Sequence, residues 1–195
     1  NMFSVNIDKI VGMTDNEKKC YEELRENLKK ELNGGKVLAI TKNGIGAFKI
    51  AYSFVCAGEK VLFIDADIMS EIFLGKYKLG KNLKGFTDYF QEDEAIHDLV
   101  CKTNRKDLDI IFTGETQEFD KADILDSEFS DFRDCLVEQY DYVIVHTGDN
   151  YDIAAKCDAS VILLKQSDYS EMSAESKVDF LDSNGCFVLG LVVEE

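Results

Sequence analysis

Six short runs of apolar residues, separated by helical patterns, constrain the fold of this chain most strongly. Most of the runs are continuous rather than alternating, which is typical of strands buried on both faces of a parallel sheet. The predicted strands are 36–41, 60–65, 108–112, 141–146, 159–165 and 186–193, and the predicted helices are 15–32, 47–57, 129–139 and 170–183. This alternation predicts a three-layer α/β fold, with helices on both faces of a mainly parallel sheet and ligands at the carboxyl ends of the strands.

The length and composition favour one domain over residues 1–195, in which helix 15–32 precedes the core. The chain has no proline, and its net charge of -16 disfavours binding to nucleic acid or to an anionic membrane surface. No apolar run approaches the ~20 residues that span a bilayer, so we expect a cytoplasmic protein. Asn1 stands before Met2, so we expect that the chain does not begin at its natural start; an extension at either end is left open.

The six cysteines give no sign of a metal or redox site. Three of them, Cys56, Cys135 and Cys186, lie in apolar periodic stretches, and none forms a Cys-x-x-Cys pair. Because the chain has only two histidines, we predict no metal site and expect reduced thiols.

A strand, a glycine-containing turn and a helix follow one another at 41–49, where the sequence is TKNGIGAFK. This arrangement binds phosphate in many proteins, because backbone N–H groups converge and the helix dipole favours an anion. A P-loop also needs a lysine and a hydroxyl in the order Gly-Lys-Ser/Thr, whereas Ala47 and Phe48 follow Gly46 here. Lys49 lies two residues after the position of the P-loop lysine, which is about 200° further around the helix. Taken alone, an ordinary strand-to-helix turn explains this segment better.

Five segments, in order along the chain, change that interpretation. They are YEELRENL at 21–28, AGEKVLFIDAD at 57–67, KGFTDYF at 84–90, YDYVIVHT at 140–147 and KCDASV at 156–161. They resemble, respectively, the YRxLRxNI helix, the AGxKVLxIDAD block, the KGLxDYL segment, the Walker B strand YDYVIIDT and the ADAxLLV segment of bacterial tyrosine kinases (BY-kinases), a group within the MinD/ParA-like P-loop ATPases. The resemblance implies a P-loop fold, ATP and Mg²⁺ as cofactors, protein-tyrosine kinase activity and a place in capsular or exopolysaccharide biosynthesis.

The departures from this family fall on the residues that carry its chemistry. Ala47 stands at the Walker A lysine position, Phe48 at the Mg²⁺-binding hydroxyl and His146 at the Walker B aspartate. Histidine is a poor ligand for Mg²⁺, a hard cation that prefers oxygen. Asp65 and Asp67 are retained, and we expect helix capping or solvation for them rather than catalysis. We therefore predict no functional catalytic residue and no bound metal, and only a residual phosphate or anion loop at Gly44, Ile45, Gly46, Ala47 and Phe48.

Losing three contacts to charged groups weakens ATP binding by on the order of 10³-fold, so we expect no cofactor although the family uses ATP and Mg²⁺. One hypothesis is an inactive, regulatory component whose partner is a membrane-anchored polysaccharide co-polymerase or activator protein. The other is a divergent kinase or ATPase that uses Lys42 or Lys49 in place of the missing lysine.

The ring-forming E-x-x-R-x-x-R motif of the BY-kinases falls on Lys19, Glu22 and Arg25, and only Arg25 agrees with it. A homo-oligomer is therefore left open. The last tyrosine is Tyr169, so the given sequence shows no tyrosine-rich tail of the kind that these kinases phosphorylate; a tail beyond its end is left open.

Overall fold

The computed structural model describes residues 4–68, 73–77, 79 and 83–195; Asn1 and Met2 lie outside them. The strands are β1 (Ser4–Val5), β2 (Val37–Lys42), β3 (Val61–Asp65), β4 (Val100–Thr103), β5 (Leu108–Ile111), β6 (Tyr142–Gly148), β7 (Ala159–Lys165) and β8 (Val188–Glu194). The helices are α1 (Asp8–Val11), α2 (Asp15–Leu32), α3 (Gly44–Cys56), α4 (Phe86–Glu92), α5 (Ile96–Leu99), α6 (Asp126–Gln139), α7 (Tyr151–Ala154) and α8 (Glu171–Ser183).

Within the described residues, these strands form one eight-stranded sheet in the order β1-β4-β5-β3-β6-β2-β7-β8. Every neighbouring pair is parallel except β4 and β5, which are antiparallel. The predicted fold class, a mainly parallel sheet with helices on both faces, is confirmed. None of the described helices is long and apolar enough to cross a membrane.

Alternate side chains of the central strand β2 enter different hydrophobic clusters. Leu38 and Ile40 pack in the same cluster as residues of α2 and α3, whereas Val37 packs with α6 and Ala39 with α7 and α8. Both faces of β2 are therefore covered, which explains why its sequence is apolar without alternation.

All six predicted strands are present, with ends shifted by at most two residues. Two strands were not predicted: β1 has two residues, and β4 is a four-residue segment of mixed polarity that pairs antiparallel to β5. Helix α3 also begins three residues earlier than predicted, at Gly44, and this shift changes the geometry of the expected phosphate loop.

Candidate functional site

The connection between β2 and α3 is a single residue, Asn43. Lys42 is still in register with Leu163 of β7, and the Asn43 N–H donates to the Leu163 carbonyl at 3.4 Å. The chain then changes direction at Lys42, whose φ of 75° lies in the left-handed region. The residues predicted to form a residual phosphate loop, 44–48, therefore lie in the first turns of α3.

Asn43 caps this helix and so fixes its early start. Its side-chain oxygen accepts a hydrogen bond from Gly46 N–H at 3.3 Å, and its carbonyl accepts one from Ala47 N–H at 2.9 Å. Asparagine is among the most favourable N-cap residues. In the P-loop pattern G-x-x-x-x-G-K, the first glycine stands five residues before the last. Counted back from Gly46, that position is Thr41, which here is a paired residue of β2.

The two glycines at the start of α3 allow side chains of the protein to approach the helix closely. A Cβ atom on Gly44 would lie 2.8 Å from Phe73 Cγ and 3.1 Å from His146 Cε1. A Cβ atom on Gly46 would meet the side chains of Leu163 and Glu194. Gly44 thus leaves room for the Phe73 ring, and Gly46 lies against the ends of two flexible side chains.

Ala47 and Phe48 are fully buried. The Phe48 ring meets the ring of Phe63 edge to face, with centroids 4.9 Å apart. Lys49, one of the two lysines considered as substitutes, forms an ion pair of 3.3 Å with Glu17 of α2. Its ammonium group is therefore held against α2.

His146, at the Walker B position, is buried between two hydrogen-bond acceptors. Its Nδ1 lies 3.4 Å from Asp65 Oδ1, and its Nε2 lies 3.2 Å from the Lys42 carbonyl oxygen. Burial lowers the pKa of His146, but the hydrogen bond with Asp65, the charge of Asp65, the Lys42 carbonyl and the charge of Asp67 together raise it above its ordinary value. Since both partners accept, the doubly protonated imidazolium satisfies this position best.

The retained aspartates are both buried, so the expected solvation is wrong. The expected capping is present at Asp65, whose Oδ2 accepts from Leu74 N–H, the first residue of a 3-10 turn, at 3.4 Å. The Asp67 carboxylate lies close to Gly148, which has a φ of 58°. Asp65 is fully buried, whereas the nearly buried Asp67 borders a cleft.

A cleft of about 690 Å³ opens at the carboxyl ends of β2, β6 and β7. Three lysines and three aspartates line it, together with Phe73, Tyr77 and several backbone groups; the charged residues are Lys42, Lys165, Lys177, Asp67, Asp149 and Asp168. Lys42, the other lysine considered as a substitute, is ion-paired with Asp149. The charges of the cleft are therefore balanced, and Lys42 is already engaged by a carboxylate.

Sequence reasoning did not predict the contacts of three residues at this site: Tyr21, Phe73 and Glu194. Phe73 packs against His146, with ring centroids 5.8 Å apart. The Tyr21 hydroxyl and the Asn43 side-chain amide both donate to the Glu194 carboxylate. These partners are separated by more than 20 residues in every case, and a single sequence carries no signal for such pairs.

The comparisons with known proteins agree with this architecture. A tyrosine-protein kinase CpsD from Streptococcus pneumoniae is 26% identical over 187 residues, which cover 90% of this chain and 82% of the relative. The chain is homologous to the CpsD tyrosine-protein kinases. No protein-family model matches it.

Solved structures share its fold. The chimerical protein CapA2B2 has a TM-score of 0.82 at 18% identity, and the alignment covers 98% of this chain and 92% of the CapA2B2 chain. The kinase domain of the Escherichia coli tyrosine kinase ETK has a TM-score of 0.80 at 18% identity, and the alignment covers 92% of this chain and 77% of the ETK chain. A MinD protein from Pyrococcus horikoshii, complexed with Mg-ADP, has a TM-score of 0.60 at 14% identity. The alignment covers 81% of this chain and 69% of the MinD chain. The fold is therefore that of the P-loop ATPases.

Proposed function

We propose that this chain is a non-catalytic regulatory or binding component of capsular or exopolysaccharide biosynthesis, built on a tyrosine-kinase fold. The observation that carries the proposal is the one-residue connection at Asn43 between β2 and α3. A P-loop binds phosphates largely through free backbone N–H groups of an open loop. Here the N–H groups of Asn43, Gly46 and Ala47 already have acceptors within the protein.

The side chains support the same conclusion, because they do not fit Mg²⁺ and a triphosphate. Ala47 and Phe48 offer neither an ammonium group nor a hydroxyl, and both are fully buried. His146 directs its two ring nitrogens at Asp65 and at the Lys42 carbonyl, so it has no free lone pair for a metal. Phosphoryl transfer depends almost entirely on positioning and charge neutralisation, and these residues supply neither.

The partner that we propose is a membrane-anchored polysaccharide co-polymerase or activator protein, which would bring the chain to the inner face of the membrane. The support is the homology to the CpsD kinases, together with the eight-stranded sheet that the described residues form. Co-purification of the tagged chain with such a membrane protein is the expected result. Recovery of the chain without it, from cells that express both, would contradict this part of the proposal.

The catalytic part is tested by incubation with ATP and Mg²⁺, followed by mass spectrometry for phosphotyrosine. An active, homologous kinase domain serves as the positive control. We expect no modification of Tyr21, Tyr89 or Tyr169 in this chain. Stoichiometric phosphorylation at any of them would contradict the proposal.

One observation keeps the divergent-enzyme hypothesis testable: Lys42 lines the cleft, whereas Lys49 is paired with Glu17. A Lys42→Ala variant, expressed in a strain that lacks the native gene, distinguishes the non-catalytic role from an enzyme that uses Lys42. If the role is non-catalytic, the variant restores polysaccharide output as well as the parent does. Loss of output from a folded, normally abundant variant would favour an enzyme that uses Lys42.

A further inference from the structure

We propose that a pocket between α8 and the sheet binds a small aromatic carboxylate, a flat apolar molecule with a single negative charge. The pocket has a volume of about 440 Å³, which is within the size range of known small-molecule sites. It lies beside the cleft described above and shares part of its wall with it. Binding at this second site does not depend on whether the cleft itself binds ATP.

Helix α8 packs loosely on the sheet, which leaves space for the pocket. Leu181 is the one buried residue among the 13 of this helix, all of which the structure describes. Residues four positions apart lie on the same side of a helix. Lys177 therefore stands one turn before Leu181, and both residues line the pocket. Ser176 and Phe180, which precede them in the sequence, line it as well.

The interior of the pocket is apolar and partly aromatic. Ile162 of β7 and Leu181 line it and belong to one hydrophobic cluster. The rings of Tyr151 and Phe180 meet edge to face, with centroids 5.3 Å apart. The Phe180 side chain is nevertheless 55% exposed, and covering such a ring is favourable. A flat aromatic molecule in the pocket would cover it and pack against these four side chains.

One positive charge of the pocket is not balanced by a carboxylate. Lys177 donates to the Ser173 hydroxyl, and in the described part of the chain no carboxylate forms an ion pair with it. The other charged residues that line the pocket, Lys42 and Asp149, are paired with each other. The pocket therefore favours a ligand with a single negative charge, such as a carboxylate.

A buried hydroxyl group supplies a further hydrogen-bond donor. Thr41 of β2 is in register with Ile162 of β7, so their side chains lie on the same face of the sheet. Both residues line the pocket. The Thr41 hydroxyl is buried and has no hydrogen-bond partner among the described residues. Because buried polar groups of native proteins are almost always paired, we expect an oxygen of the ligand to accept from this hydroxyl.

The experiment compares phenylacetate with its neutral amide, phenylacetamide, by NMR titration of ¹⁵N-labelled protein, in which the backbone amides of residues 176–181 are followed. In the parent, the acid should bind with a dissociation constant of about millimolar, and about tenfold more tightly than the amide. Lys177→Gln should remove this preference for the acid. Lys165→Gln removes a lysine that lines the neighbouring cleft but not the pocket, so it should retain the preference.

A second pair of variants tests the aromatic wall. Phe180→Ala should weaken the binding of both probes by about fivefold, because each loses a ring to pack against. Phe187→Ala removes an exposed ring that does not line the pocket, so both affinities should stay as in the parent. Neither Lys177 nor Phe180 is buried, so their variants should fold. Lys177→Met serves for the same comparison if Lys177→Gln does not.

The absence of saturable shifts at residues 176–181 with the acid would overturn the proposal, and so would equal affinities of the parent for the two probes. If Lys165→Gln loses the preference as fully as Lys177→Gln, the acid binds in the cleft instead of the pocket, which also overturns it. Equal effects of Phe180→Ala and Phe187→Ala would contradict the assigned aromatic wall.

Discussion

The interior of the central strands and the cleft at their carboxyl ends are constrained differently. Inside β2 and β6, buried apolar residues such as Leu38 and Ile144 lie in register and pack against the flanking helices. A few residues further along, Phe73 packs on His146 beside the cleft, and the Asn43 side-chain amide before α3 donates to the Glu194 carboxylate. The strand interiors are packed with apolar residues, whereas the strand ends carry paired polar and aromatic side chains.

This difference indicates that the stability of the sheet does not depend on the residues at the carboxyl ends of its strands. Burial of apolar surface stabilises the strands whatever follows them. The strand ends, in contrast, are stabilised by specific pairs, such as His146 with Asp65. Variants in the two regions should therefore differ in both the size and the kind of their effects.

The largest expected effect is at Phe48, which is fully buried in the core. Phe48→Ala should lower the free energy of unfolding by about 3–5 kcal/mol, because it leaves a cavity beside Phe63. Ile45→Ala, on the exposed side of the same helix, should lower it by less than about 1 kcal/mol. Urea denaturation of both variants measures the difference. Equal effects would show that Phe48 is not a core residue.

A smaller effect is expected at Arg25, which matches the ring-forming motif but makes contacts inside the chain. Its Nη1 donates to the Ser53 carbonyl at 3.0 Å and to the Ser53 hydroxyl at 3.3 Å, joining α2 to α3. Arg25→Ala should cost about 1–3 kcal/mol, as for other hydrogen bonds to charged groups. Lys19→Ala, an exposed residue of α2, is the control and should be nearly neutral. A neutral Arg25→Ala would contradict the role of this contact.

A more modest effect is expected when the pH is changed. The pKa of His146 is raised in the folded protein above its ordinary value of 6.5. The stabilisation that the charged His146 side chain gives to the folded protein is therefore fully present below about pH 6.5. It is lost as the pH rises through the pKa of His146 in the folded protein. The free energy of unfolding should fall as the pH rises above about 6.5 in the parent and in His97→Gln. His146→Gln should show a smaller fall; an unchanged pH profile would argue against the charged imidazole.

The smallest effect, here on ATP binding, is expected when the side chains of the kinase family are restored without any change to the backbone of the connection. Ala47→Lys, Phe48→Thr and His146→Asp together should give no gain in Mg²⁺-dependent ATP binding, because the connection at Asn43 still lacks a loop. The double variant that retains Phe48 avoids the cavity and provides the same comparison. Calorimetry of the folded variants is the measurement. Binding tightened by about two orders of magnitude would show that only side chains had been lost.

The sequence was informative about the fold because its strands are continuous apolar runs. Strand β7, for example, is found at the predicted residues 159–165. It was less informative about the site, because Asn43 can cap a helix or belong to a loop, and the sequence alone does not show which of the two it does. The contact between Glu194 and Asn43 joins residues 151 positions apart, so no local pattern predicts it.

We propose that the cleft does not bind ATP, and calorimetric titration of the parent chain with ATP and Mg²⁺ tests this proposal most directly. Because the phosphate contacts of a P-loop are missing, we predict no saturable binding tighter than about millimolar. An active homologous kinase domain, titrated in parallel, shows that the conditions permit binding. A micromolar dissociation constant for the parent chain, dependent on Mg²⁺, would contradict the account.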